Sequence, residues 1–358
     1  MIRSALLLCA AILAAACSGC IAATPPPDSV TTLSATCRDG APFLSRVRFV
    51  QNGWLPDTRH PDDPPSMLGA PLELGSDFAK NLQNAFALAP QGFQDRLCKL
   101  AAIYVNGPTN CAGFSDCVGA SWGYRAWRTR NEYVAISAGL WKLKCGDGSP
   151  YKYHCFESDL LNLVLDPLQA NPTPPQYTAA NSGADNFDML VLAVLAHEVG
   201  HAVWYEAMNP GNPGSHGYNP GKFCNTKFFP WSWQSVHEPP FWRSFGEPGQ
   251  DEHRFFPGIA DIDGAKRLGR WSSVLSLVEQ LYKPDQPWAS YFASVSPDED
   301  FVETFKLVVL TNAQTIALGE GPLTNLSISL AGIPHDIPAD YLGGTRSFYP
   351  KRQPAWPR

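Results

Sequence analysis

One ten-residue stretch constrains this chain more than any other. Leu195 to Trp204 reads LAHEVGHAVW, two histidines four positions apart around a glutamate, in a run otherwise as apolar as a core helix. The wider segment, DNFDMLVLAVLAHEVGHAVWYEAMNP, has Asp185 or Asn186 placed to cap a helix and Pro210 placed to stop it. Its apolar residues between Met189 and Ala196 encircle the axis instead of lining one stripe, which predicts a helix buried in the core. The fold must therefore enclose this helix and accommodate two imidazoles and a carboxylate on it.

On a helix, His197 and His201 lie on one face a turn apart, so two imidazole nitrogens can meet at one point. That arrangement suits two ligands of a tetrahedral zinc, at about 2.0–2.1 Å each. Glu198 falls beside such a metal, where it can hold a water and take its proton. This is the metallopeptidase reading of HExxH, with one zinc per chain expected. The alternative, satisfied core histidines, is the usual account of one histidine, but two with a carboxylate are costly to bury without a metal or charge partner. Gly200 lets another segment approach the helix closely at the site.

A third ligand has to come from elsewhere. The metzincin extension would need glycine at 204 and histidine at 207, where the chain has Trp204 and Ala207, so that class is excluded. Downstream, SPDEDFVETF places Glu299 and Glu303 four apart on one helical face, behind Ser296 as a cap and Pro297 in the first turn. One carboxylate can bind the metal while the other orients a ligand histidine.

HEVGH followed by a helix carrying SPDEDFVETF resembles gluzincin-type zinc metallopeptidases, in particular the zinc-binding metallopeptidases of bacterial envelopes and, more distantly, the anthrax lethal factor catalytic domain. The resemblance is concentrated in those two helices, with a weaker likeness in YVAISAGLW as the strand that would edge the cleft. It implies His197, His201 and Glu299 as zinc ligands, Glu198 as the catalytic base and Glu303 in support. Two departures stand out. The family's oxyanion-stabilising tyrosine would fall at Phe292, with Tyr291 one place off, and GIADIDGAKRLG lacks the glutamate of a related motif. Asp261 is accordingly an alternative third ligand, or a group that supports one.

Together these readings predict an α+β, zincin-like fold: a small mixed sheet packed on the buried HExxH helix, with a helical C-terminal part. Helical spacing in SDFAKNLQNAFALAPQGFQDRLCKL, the strand-like AAIYV after it, and a strand from about Tyr133 to Ala138 supply further elements. Residues 1–23 read as an export signal, with one cationic residue and an apolar stretch too short to span a bilayer. LAAAC resembles a lipobox with Cys17 as the lipidated residue; cleavage without lipid near Ala22 or Ala23 is the alternative. Residues 24–71 read as a Pro-rich tether or arm, and 72–358 as the metallopeptidase domain.

Export permits disulfides, and Cys111 with Cys117 and Cys145 with Cys155 are plausible local bridges. With 33 Asp and Glu against 27 Lys and Arg and no basic run, nucleic acid is excluded as an expected partner. The expected partner is a peptide or protein substrate, with membrane attachment through an N-terminal lipid if Cys17 is modified. The rival reading is a non-catalytic envelope protein or lipoprotein whose metal site is structural. Such a site would be closed by a fourth protein ligand and would have no use for Glu198.

Overall fold

A computed structural model describes residues 36–50, 70–71, 77–106, 120–124, 132–165, 176–179, 184–208, 289–294, 297–314, 326–330 and 333–336, with short pieces between 265 and 278. Cys17, Cys111, Cys117 and Asp261, and the irregular region with His216, His237 and His253, lie outside them. In chain order the elements are β1 (Val47–Val50), β2 (Ala70–Pro71), α1 (Asp77–Leu88), α2 (Gln91–Leu97), β3 (Ala102–Asn106), β4 (Ala120–Tyr124) and β5 (Glu132–Ser137). There follow α3 (Tyr153–Leu165), β6 (Gln176–Ala179), α4 (Phe187–Met208), α5 (Pro297–Thr311), β7 (Leu326–Leu330) and β8 (Ile333–Asp336). The chain divides into two compact units interleaved in sequence, 1–152 with 186–199, and 153–185 with 200–358.

The first unit holds a five-stranded mixed sheet in the order β2-β1-β3-β5-β4. Its three central strands run parallel, Val47 opposite Ile103 and Ala102 opposite Tyr133, and the two edge strands are antiparallel to them. Parallel strands are covered on both faces, so they read as continuous apolar runs. Every residue of β5 is buried, as are Ile103, Tyr104 and Val105 of β3. Tyr104 and Tyr133 meet edge to face at 5.6 Å in one buried cluster with Ala102 and Ala135. The YVAIS strand is thus interior. It is paired on one side with β3 and on the other with β4, which forms the antiparallel edge there.

The stretch expected as a Pro-rich arm supplies a central strand. Phe43 and Val47 are fully buried, Phe43 stacks on Phe86 of α1 at 4.3 Å, and a disulfide joins Cys37 to Cys98 just past α2. Burial of such side chains is worth about 1.5–3 kcal/mol each, more than a tether's polar composition would lead one to expect. α1 packs through Ala79, Leu82, Ala85, Phe86 and Leu88, and its other flank reaches the start of α4. There Asn81 and Asn84 donate to the two carboxylate oxygens of Asp188, at 2.6 and 2.8 Å, while Trp141 Nε1 donates to Asn81 Oδ1 at 2.9 Å. Burial raises the Asp188 pKa, and the two amide bonds partly offset it.

The second unit contains α3, the remainder of α4, α5 and an antiparallel three-stranded sheet, β6-β7-β8, with Gln176 opposite Ser329 and Leu330 opposite Ile333. α4 is capped by Asn186, whose Oδ1 accepts from Met189 N at 2.8 Å. Asp185, the other expected cap, is engaged by His154. Residues Met189 to Ala196 are all buried, as an all-round apolar helix requires. By length and composition α4 could cross a membrane, but most of it is enclosed by protein.

Replacing Cys37 and Cys98 together by serine is expected to cost about 2–4 kcal/mol, because the cross-link closes a long loop of the unfolded chain. Urea unfolding followed by tryptophan fluorescence measures it, and an unchanged midpoint would show that the packed Phe43 segment holds without the bond.

Candidate metal centre

Two helices bring the predicted ligands together. α4 supplies His197 and His201 one turn apart, and α5 supplies Glu299 from its first turn. His201 Nε2 lies 3.8 Å from Glu299 Oε1, and one ligand atom from each of the three residues lies within 4.8 Å of the others. Ligands at zinc distances in a tetrahedron stand about 3.3–3.5 Å apart. Two imidazole nitrogens and a carboxylate oxygen at these separations fit a zinc ion after a small inward movement. All three side chains are partly exposed.

The approach of α5 to α4 depends on Gly200. A Cβ built there would stand 3.3 Å from Val302 Cα and from both of its methyl carbons. The same contact continues at Trp204, whose ring lies 5.2 Å from Phe301, and along α5 through Phe301 and Phe305. The glycine inside HEVGH lets the helix carrying Glu299 come within reach of His201.

Glu198 is buried, 6% exposed, and burial raises its pKa to about 7, while the nearby His197 acts in the lowering direction. A carboxyl in this range exchanges its proton near neutrality, the property a general base needs.

Glu303, one turn beyond Glu299, is 2% exposed and its Oε2 accepts from Ser290 Oγ at 2.6 Å and Lys306 Nζ at 2.8 Å. Lys306 also donates to Glu157 of α3 at 2.8 Å. Burial disfavours the Lys306 ammonium, but Glu157 and Glu303 outweigh it and hold its pKa above the usual lysine range. Tyr153, fully buried beside Glu157, has its pKa raised well above the ordinary value by burial and then by that carboxylate. This Glu157–Lys306–Glu303 network fixes the carboxylate expected to support the site. No local sequence signal announces it, because Lys306 and Glu157 are 149 residues apart. Tyr291 is buried and meets Phe292 edge to face at 6.0 Å.

Among the described residues a second metal-type group exists, Cys145, His154 and Cys155. Both cysteines are disulfide-bonded, which takes their sulfurs out of the thiolate form that binds metal. The Cys145 to Cys155 loop is thus closed as its spacing predicted. Comparison with protein-family models, with curated proteins and with solved structures finds no match.

Two outcomes are expected. In the metal-free protein the raised Glu198 pKa favours folding most fully below pH about 4.5, and that contribution is lost as pH rises through about 7. Thermal unfolding in chelator should show up to roughly 3 kcal/mol of this dependence. Glu198→Gln should remove it, and identical pH profiles for the two proteins would contradict the assignment. Gly200→Ala should cost about 1–3 kcal/mol through overpacking against Val302, despite the gain of about 1 kcal/mol in helix propensity. Adding Val302→Ala should recover part of the loss in the same melts.

Proposed function

We propose that this chain is a zinc-dependent metallopeptidase of gluzincin type that hydrolyses peptide bonds outside the cytoplasm. The observation that carries the reading is the convergence of His197, His201 and Glu299 on one point, with a buried Glu198 between the two histidines in sequence. His197, His201 and Glu299 would hold the ion. Zinc, when bound, supplies a Lewis acid that polarises a carbonyl and acidifies water. Glu198 takes the proton from the attacking water and returns it to the leaving amine. Glu303, held by Lys306 and Ser290, is the supporting carboxylate.

The zincin-like α+β fold is part of the same reading, supported by a mixed sheet with an antiparallel edge strand and by the buried HExxH helix. Export is supported by two disulfide-bonded cysteine pairs, which an oxidising compartment permits. Attachment through a lipidated Cys17, or free secretion, completes the proposal. The substrate is a peptide or protein of the cell envelope or its surroundings.

Metal analysis of the purified mature protein should find about one zinc per chain, and none in a His197→Ala/His201→Ala variant. Glu198→Gln should retain zinc and lose turnover of a peptide library by at least about a hundredfold. Glu299→Gln should weaken zinc affinity roughly 10- to 100-fold in chelator competition. Full zinc retention in the Glu299 variant would pass the third-ligand role to Asp261. Absence of zinc from the wild type after refolding in zinc would end the enzyme reading.

A further inference from the structure

At the first turn of α3 a carboxylate, an imidazole and a sulfur stand in series. Asp185 Oδ1 accepts from the backbone N–H of His154 at 3.0 Å, and its other oxygen is bonded to His154 Nδ1. This double attachment fixes the imidazole and turns Nε2 toward Cys155 Sγ, 3.3 Å away. Asp185 is 5% exposed at its side chain and His154 27%, so the carboxylate is sheltered while the ring reaches solvent. Cys155 lies in the first turn of α3, at the positive end of the helix dipole, which favours negative charge on sulfur. The loop it closes with Cys145 is exposed at Gly146, Asp147 and Gly148, and its backbone turns through positive φ at Gly148.

A disulfide that serves only as a staple needs no oriented imidazole at one of its sulfurs. In thiol–disulfide exchange the departing sulfur carries the negative charge, and the reaction is faster the better that charge is accommodated. We propose that Cys145–Cys155 is a thiol-exchange site, with Cys155 as the leaving sulfur, His154 as its proton partner and Asp185 orienting His154. The co-reactant is a low-molecular-weight thiol or a dithiol.

A thiolate of the co-reactant attacks Cys145 Sγ. A bond forms between the two sulfurs, the Cys145–Cys155 bond breaks, and the electron pair goes to Cys155 Sγ, which takes the proton from His154 Nε2 or rests beside the imidazolium as thiolate. A second thiolate then attacks the mixed disulfide and releases Cys145. Two thiols have been oxidised to one disulfide, and the protein disulfide has been reduced to two cysteines. This chemistry stands apart from the zinc reading and uses none of its residues.

The test uses the full mature chain, glutathione as the thiol, and timed alkylation with peptide mass spectrometry. Cys37–Cys98 serves as the internal reference and circular dichroism as the control for folding. Cys145–Cys155 should open at least about tenfold faster than Cys37–Cys98, and the trapped glutathione should sit on Cys145. His154→Gln should slow that opening about tenfold while leaving the Cys37–Cys98 rate unchanged. Asp185→Asn, which keeps an acceptor for the His154 N–H, should also slow it. Equal opening of the two disulfides in the wild type, an unaltered rate in a folded His154→Gln protein, or glutathione trapped on Cys155 would overturn the proposal.

Discussion

A helix without a polar face cannot lie on a surface, and α4 is such a helix from Met189 to Ala196. Much of the architecture answers that constraint. Its first turn is pinned by Asn186 as cap and by the asparagines of α1 on Asp188. Its second half is approached by α5 at Gly200, where a Cβ would stand in tight contact with Val302. Once the helix is buried, the histidines and Glu198 follow it inside, and the partial exposure of the histidines beside the deeper burial of Glu198 follows from their places on its circumference.

α5 meets a different demand. It brings Glu299 to the histidines and at the same time buries Glu303 and Lys306, whose charges cannot be left uncompensated. Glu157 from α3 completes the compensation. Buried ion pairs are a poor source of net stability, because desolvation consumes much of the Coulombic gain, but removing one partner costs about 3–5 kcal/mol. Such a network fixes geometry strongly while contributing little to stability. Here it holds the helix that carries the candidate ligand, so the direction of α5 is set by charge as well as by the packing of Phe301 and Phe305.

What could be read from the sequence was whatever local pattern decides. The HEVGH helix, the Pro297 helix, the Asp77 helix and the two buried strands AAIYV and YVAIS each carry a period and a boundary signal, and the Cys145–Cys155 loop is short enough to suggest itself. The His197, His201 and Glu299 grouping was legible because residues four apart on a helix must share a face, and because the motif demanded a third ligand. Long-range pairing was hidden. β1 is four residues long among prolines, and its partner Ile103 lies far along the chain. Cys37 and Cys98 are 61 residues apart, and cysteine connectivity is not encoded by spacing at that distance. The neighbour of YVAIS was hidden too, because β4 carries no strong apolar pattern and nothing in it announces another strand beyond β5.

The two compact units are threaded through one another in sequence: the first is closed only by residues 186–199, after the chain has already entered the second at Tyr153. A chain delivered from its N-terminus therefore has no early point at which a finished unit can be set aside. While the first 185 residues have emerged, the five-stranded sheet waits without the apolar helix segment that belongs to its unit. Completion of the first unit is therefore a late event in the order of the chain, set by where residues 186–199 fall in the sequence.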